Sequence, residues 1–234
     1  MGTIDICIGN YGSYNAGYLI DRWVSLPMEP EQLEKVLSDI QQQAEALTGG
    51  PCEEMYVSDY DGIPLGLSYG NAFSELTSID ELNLLAQLIE EMPDDAERLE
   101  AAIGCGIDEP DTVLEACNWI IQGDDIPYYG YDLDLSLFQG DSPATKMGWS
   151  CAKQNGLRAL LEENEIECFF DFERYGLEMG QNCLLGEEGY VDNCQDMPSK
   201  DLYTFEEIKR MVGWDRDEEL SEDVEQAPPV HGGI

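Results

Sequence analysis

The chain holds 234 residues, and its fifty Asp and Glu against eleven Lys and Arg leave a formal net charge of −39. Such acidity excludes a basic, phosphate-gripping surface and opposes compaction through self-repulsion, so the acid is either tolerated or useful. With 43% hydrophobic residues and 6 Phe, 12 Tyr and 4 Trp, the chain has enough apolar surface for folded domains rather than wholesale disorder. No run of about 18 apolar residues suggests a transmembrane helix. The start, Met1-Gly2-Thr3-Ile4-Asp5-Ile6-Cys7, lacks the basic end and apolar core of a signal peptide, and Ile6 stands where a myristoylation signal wants Ser or Thr. The cysteines at 7, 52, 105, 117, 151, 168, 183 and 194 form no CxxC pair. In an intracellular chain they read as small buried hydrophobes rather than disulfides.

Taken in order, residues 4–9 alternate weakly and predict a strand, with Tyr18 to Val24 as its hairpin partner and the turn-rich 9–17 stretch as the loop between them. A helix is predicted from Pro30 to Leu47, with Leu33, Val36, Leu37, Ile40, Ala44 and Leu47 on one face and Gly49-Gly50-Pro51 stopping it. Residues 54–60 predict a third strand, ending at the Asp61-Gly62 turn. These make a small α+β unit over residues 1–68.

Residues 69–123 predict a helical module. Ser78 and Glu81 form a capping box ahead of the stripe Ile79, Leu82, Leu85, Leu88 and Ile89. Pro93 opens a second helix with Asp94, Asp95 and Glu97 in its first turn, ending at Gly104 or Gly106. A third begins at Asp108-Glu109-Pro110 and carries Val113, Leu114, Cys117, Ile120 and Ile121 to Gly123. Residues 124–196 predict a second α+β unit: a helix from Ser142-Pro143 to Asn155-Gly156, another over Phe169 to Met179, and strand pieces around the 186–189 turn. Residues 197–234 form an acidic extension, with a short helix over Thr204 to Val212 and a tail beyond 215 expected to be disordered. The fold class is therefore α+β, in three units and an extension.

Most familiar chemistries find no residues here. The lone His231 lies in the predicted tail, which leaves Ser-His-Asp and Cys-His mechanisms without a base. The cysteine spacings supply no zinc site, and Asp59-Tyr60-Asp61-Gly62 and Asp132-Leu133-Asp134 miss the glycine position of a calcium loop. The 9–17 loop leads to a strand and lacks GK[ST], so it is no phosphate cradle. Nothing singles out two acids as a catalytic pair. Neither an enzyme nor a cofactor is expected.

What remains is the acid. Residues 36–145 hold 24 Asp and Glu against Arg98, a local charge of −23, whereas eight of the eleven bases lie in residues 146–216. Duplex DNA carries one charge per ~1.7 Å of axis, so this run matches the phosphate of roughly 11 or 12 base pairs. Two readings stand on charge alone: solvated helix faces, or a surface that stands in for phosphate. The candidates for the latter are Asp59, Asp61, Glu75, Asp80, Glu81, Glu90, Glu91, Asp94, Asp95, Glu97, Glu109, Asp111, Glu115, Asp124 and Asp125.

Three separated motifs add to this. Ile8-Gly9-Asn10-Tyr11-Gly12-Ser13-Tyr14-Asn15-Ala16-Gly17-Tyr18-Leu19, followed by Asp21-Arg22-Trp23-Val24-Ser25-Leu26-Pro27, resembles the opening of the ArdA antirestriction family. Tyr56 to Asp61 resembles its second landmark, and Phe170-Asp171-Phe172-Glu173-Arg174-Tyr175-Gly176 with Glu188-Gly189-Tyr190-Val191 its third. The resemblance implies a non-catalytic DNA mimic in the bacterial cytoplasm, borne on mobile genetic elements. It implies an elongated three-domain homodimer joined through the C-terminal α+β unit, which binds the methyltransferase core of type I restriction–modification enzymes rather than nucleic acid. The sequence departs from that family in the stretch Tyr128 to Thr145, which is longer, and in the extension from about 197. Two alternatives stand on charge alone: an acidic module for a basic nucleoid-type protein, and a halophile's ordinary enzyme, which would need molar salt to fold.

Overall fold

A computed structural model describes residues 4–62, 64–67, 72–133 and 142–214. Among them, β1 (Ile4–Asn10) pairs antiparallel with β2 (Asp21–Leu26) and with β3 (Met55–Asp61), giving a sheet of order β2-β1-β3. Ile6 and Ile8 of the central strand are fully buried, as are Leu33, Ile40 and Ala44 of α2 (Pro30–Thr48), which share their core cluster. Gly49 in the left-handed conformation (φ 73°) closes that helix.

The predicted hairpin loop folds differently. Residues 11–15 form a helical turn, α1 (Tyr11–Asn15), and β2 begins at Asp21 rather than Tyr18. The buried Asn10 organises it: its side-chain Oδ1 accepts from Ser13 N at 2.9 Å and its side-chain Nδ2 donates to Cys52 O at 2.8 Å. Gly9 and Gly12 are required by close approach, because a Cβ would lie 2.7 Å from the Tyr56 ring and 2.6 Å from Cys52 Sγ, respectively. The first family-like motif is thus a packing device.

α3 (Ile79–Glu91), α4 (Pro93–Gly104) and α5 (Val113–Ile121) follow. The first two start where expected, with Pro93 in the first turn of α4; of the expected capping box the Ser78 half is present, its side chain accepting from Glu81 N. The third starts at Val113 rather than near Asp108, because Thr112 caps Glu115 N and the Glu115 carboxylate turns back to accept from Asp111 N at 2.7 Å. Their apolar faces join the core of the first sheet, and buried Asn83 on α3 clamps the end of β2: Met28 N donates to its oxygen at 2.7 Å and its amide donates to Met28 O at 2.8 Å.

The second sheet has order β4-β6-β5, from β4 (Tyr128–Gly130), β5 (Cys183–Leu185) and β6 (Gly189–Asp192). Helices α6 (Pro143–Gln154) and α8 (Phe172–Met179) cross at Gly148 and Gly176, where a Cβ would come within 1.9 Å of Phe172 O and 1.8 Å of Ala144 O. Phe172 stacks on Trp149 with centroids 3.9 Å apart. The helix predicted over Phe169 to Met179 is broken at Phe170 and Asp171, since Asp171 caps a new helix by accepting from Arg174 N at 2.9 Å. β4 and α7 (Leu157–Glu163) were not anticipated; at φ 75° Gly156 stops α6 and starts α7 in one step.

In the extension, α9 (Phe205–Met211) carries a complete capping box between Thr204 and Glu207. The extension packs against α5: fully buried Asn118 donates to Tyr203 O at 2.9 Å and accepts from Tyr203 N at 2.7 Å, and Trp119 Nε1 donates to Pro198 O at 2.9 Å. Cys7, Cys52 and Cys117 are buried as expected, but Cys168 and Cys194 are exposed. The expected disordered tail and the middle of the long 128–145 stretch lie outside the described residues.

Candidate functional site

The fifteen candidate carboxylates fall into groups set by the elements that carry them. Asp59 and Asp61 sit two apart on β3, an edge strand, so both point to one face. Asp61 lies directly opposite Asp5, an acid the sequence reading passed over, and the Ser25 hydroxyl donates to Asp5 from the other side. Like charges directly opposed across a ladder destabilise it. Glu75 is held nearby, since its carbonyl accepts from Val57 N of β3 at 3.1 Å.

Two groups sit at helix starts. Asp80 and Glu81 occupy the first turn of α3, and Glu115 that of α5, behind half-buried Glu109 and exposed Asp111. Acid in a first turn suits the helix dipole and needs no functional explanation. The extension faces both groups: Lys200 Nζ lies 3.5 Å from Asp111 and 3.5 Å from Glu115, and Lys209 approaches Asp80. Burial pushes the Asp80 carboxyl above its ordinary range, opposed by Lys209 and aided by Glu34; Glu81 rises by burial and then by Asp80.

The densest group spans the α3–α4 junction. Glu90 and Glu91 end α3; Asp94, Asp95 and Glu97 begin α4; and the 3-10 turn Gly123–Asp125 brings Asp124 and Asp125 against them. Asp95 is half-buried and packs so closely on Gly123 that a Cβ there would meet its carboxylate at 2.3 Å. Burial raises its pKa first, with Asp124 and Asp94 adding and Arg98 opposing. Glu188, from the turn before β6, joins Asp94, Glu97 and Arg98 around one shallow depression. It too was missed, because sequence carries no sign of an approach across 90 residues.

Glu90 and Glu91 decide what kind of surface this is. They stand at a helix C-terminus, where the dipole disfavours acid, and α2, α3, α4 and α5 all lack a base in the last turn. The dipole therefore does not explain them, although Glu91 accepts a hydrogen bond from Gln87 Nε2 one turn earlier at 2.8 Å. Among the described residues no group of three or more His, Cys, Asp and Glu side chains could hold a metal, and no helix is long and apolar enough to cross a membrane. The molecule is a mixed α+β protein with a carboxylate-rich surface.

The chain belongs to the ArdA family of antirestriction proteins, whose model matches residues 6–192. Antirestriction is thus its functional class. No curated protein matches the chain significantly. The matched span takes in all three motifs and all fifteen carboxylates, and stops before the extension.

Proposed function

We propose that this chain blocks type I restriction–modification enzymes without catalysis, by offering carboxylates in place of DNA phosphates to the groove of the methyltransferase core. Family membership supports the antirestriction part. The observation that carries the mimicry part is the α3–α4 junction, where seven candidate acids from α3, α4 and the Gly123–Asp125 turn are brought together. A basic groove attracts such a surface by the field that attracts DNA, and charge complementarity speeds the encounter. The target is then an enzyme in the bacterial cytoplasm, and the chain acts there as an elongated homodimer. Its dimer contact draws on the second α+β unit, which exposes the large apolar side chains Leu160, Ile166, Phe169, Leu177 and Met179.

The test is displacement. Purified protein added to a type I methyltransferase core on labelled duplex should release the DNA in proportion to protein added. If the enzyme were inhibited while its DNA stayed bound, occupation of the groove would be wrong.

A further inference from the structure

α9 gives the molecule a concave feature that the family-matched residues do not form alone. A groove of about 730 Å³ lies between α2, α3 and α9, a size that suits a few side chains. Half-buried Leu37, Phe205 and Trp214 give it apolar walls, and the carboxylates of Glu31, Glu34 and Asp80 stand beside them. One base, Lys209, lines it and lies 3.9 Å from Glu206. Asp80 has its pKa raised by burial, with Lys209 opposing and Glu34 adding.

We propose that this groove docks a segment of a protein partner in which a lysine or arginine is flanked by apolar side chains. The occupant follows from charge complementarity joined to the apolar walls. A purely polar cation leaves Leu37, Phe205 and Trp214 uncovered, and a purely apolar segment leaves the acids desolvated. The chain's own tail is the wrong occupant, since residues 215–225 contain seven acids and Arg216. The walls are also preformed. Ile208 is fully buried, the capping box fixes the start of α9, and Asn118 clamps Tyr203, so binding does not have to order the groove. The proposal does not require phosphate mimicry, although Asp80 belongs both to the groove and to the candidate carboxylates.

The test uses the full chain labelled with 15N and two short synthetic peptides, one alternating leucine and lysine and one with serine in place of leucine. The leucine peptide should shift amides of residues 29–37, 80 and 205–214, and bind at least about tenfold more tightly than the serine peptide. Trp214→Ala should remove that difference. Glu34→Lys, an exposed change that leaves the fold intact, should weaken both peptides, while Glu163→Lys on α7 should weaken neither. Equal affinities, with shifts spread over every acidic face, would reduce the groove to bulk charge and overturn the proposal. Nuclear Overhauser contacts from residues 215–234 to the Trp214 or Phe205 rings in the free protein would assign the groove to the tail and overturn it equally.

Discussion

The helices of residues 79–121 and those of residues 143–179 share their cap chemistry and differ in how their surfaces are paired. Ser78 and Thr112 cap the first set as Ser142 and Asp171 cap the second, each accepting a backbone N–H from three residues on. At the other end α6 carries Lys153 in its last turn, whereas α3, α4, α5, α7 and α8 carry no base there, and α3 and α7 each finish on two glutamates. Ion pairs dress the second set: Lys146 to Glu187 at 2.7 Å, Lys153 to Asp132 at 2.6 Å, and Arg158 between Glu162 and Glu167. Packing compensates in the first set, where Leu82, Leu84, Leu85, Leu99 and Ile120 are wholly buried. One region is built for stability at its surface as well as its core. The other relies more on its core, and Lys200 of the extension supplies the ion pairs to its Asp111 and Glu115.

That contrast can be broken at several points. The largest effect should come from reversing Glu90, Glu91, Asp94 and Glu97 together to lysine. At up to about 1 kcal/mol for each exposed pairing lost, four sites make about 4 kcal/mol, or roughly a thousandfold loss of inhibition in a competition assay. The same number of reversals at Glu53, Glu54, Asp196 and Asp201, exposed acids outside both the candidate group and the proposed dimer contact, should leave inhibition within a few-fold. Each single change to Ala in the first group should be mild, and abolition by one Asp→Asn change would reveal a discrete site instead.

Next in size is Gly176→Ala. Its Cβ would collide with backbone rather than a flexible side chain, so urea unfolding should show a loss at or above the upper end of the ~1–3 kcal/mol seen for overpacking. Asn118→Ala should cost about 1–3 kcal/mol by leaving the Tyr203 backbone groups unpaired, and should loosen the extension before the rest in hydrogen exchange.

The smallest effect sharpens the electrostatic side. Asp80, Glu81 and Asp95 have folded pKa values above their ordinary ones, so the folded state holds protons that the unfolded state has released. Stability therefore falls as pH climbs from the ordinary value through the raised one. Asp95→Asn should raise the melting temperature at pH 7, yet change it little below pH 3.8, where the carboxyl is protonated in both states. No gain at pH 7 would mean that Asp95 is not strained by its neighbours.

Much of this contrast was legible in sequence wherever the cause is local. Ser78, Pro93 and Ser142-Pro143 announce their helices, and the Leu and Ile stripes give their buried faces. What escaped depends on distant partners. α1 has the composition of a loop and is helical because Asn10 reaches Cys52. The extension resembles nothing in the family motifs, and it docks through Asn118 and Trp119, about eighty positions away. Asp5 and Glu188 join the acidic groups only through strand register and the placing of the β6 turn. The sequence could locate the acid but not say which acids face a base: Lys200 and Lys209 draw Asp111, Glu115 and Asp80 into intramolecular partnership.

The most direct test of carboxylates standing in for phosphate is a pair of titrations against one type I enzyme, with this protein and with duplex DNA, at several salt concentrations. DNA releases condensed counterions when its phosphates are neutralised, so log K falls steeply with log salt. A folded surface of lower charge density condenses fewer ions. Screening acts on both, as the Debye length shrinks from about 10 Å at 0.1 M to about 3 Å at 1 M. The protein's affinity should therefore fall with salt, but less steeply than DNA's, so that it competes better as salt rises. A flat titration would mean that apolar contacts carry the binding, and a slope steeper than DNA's would contradict the charge-density argument.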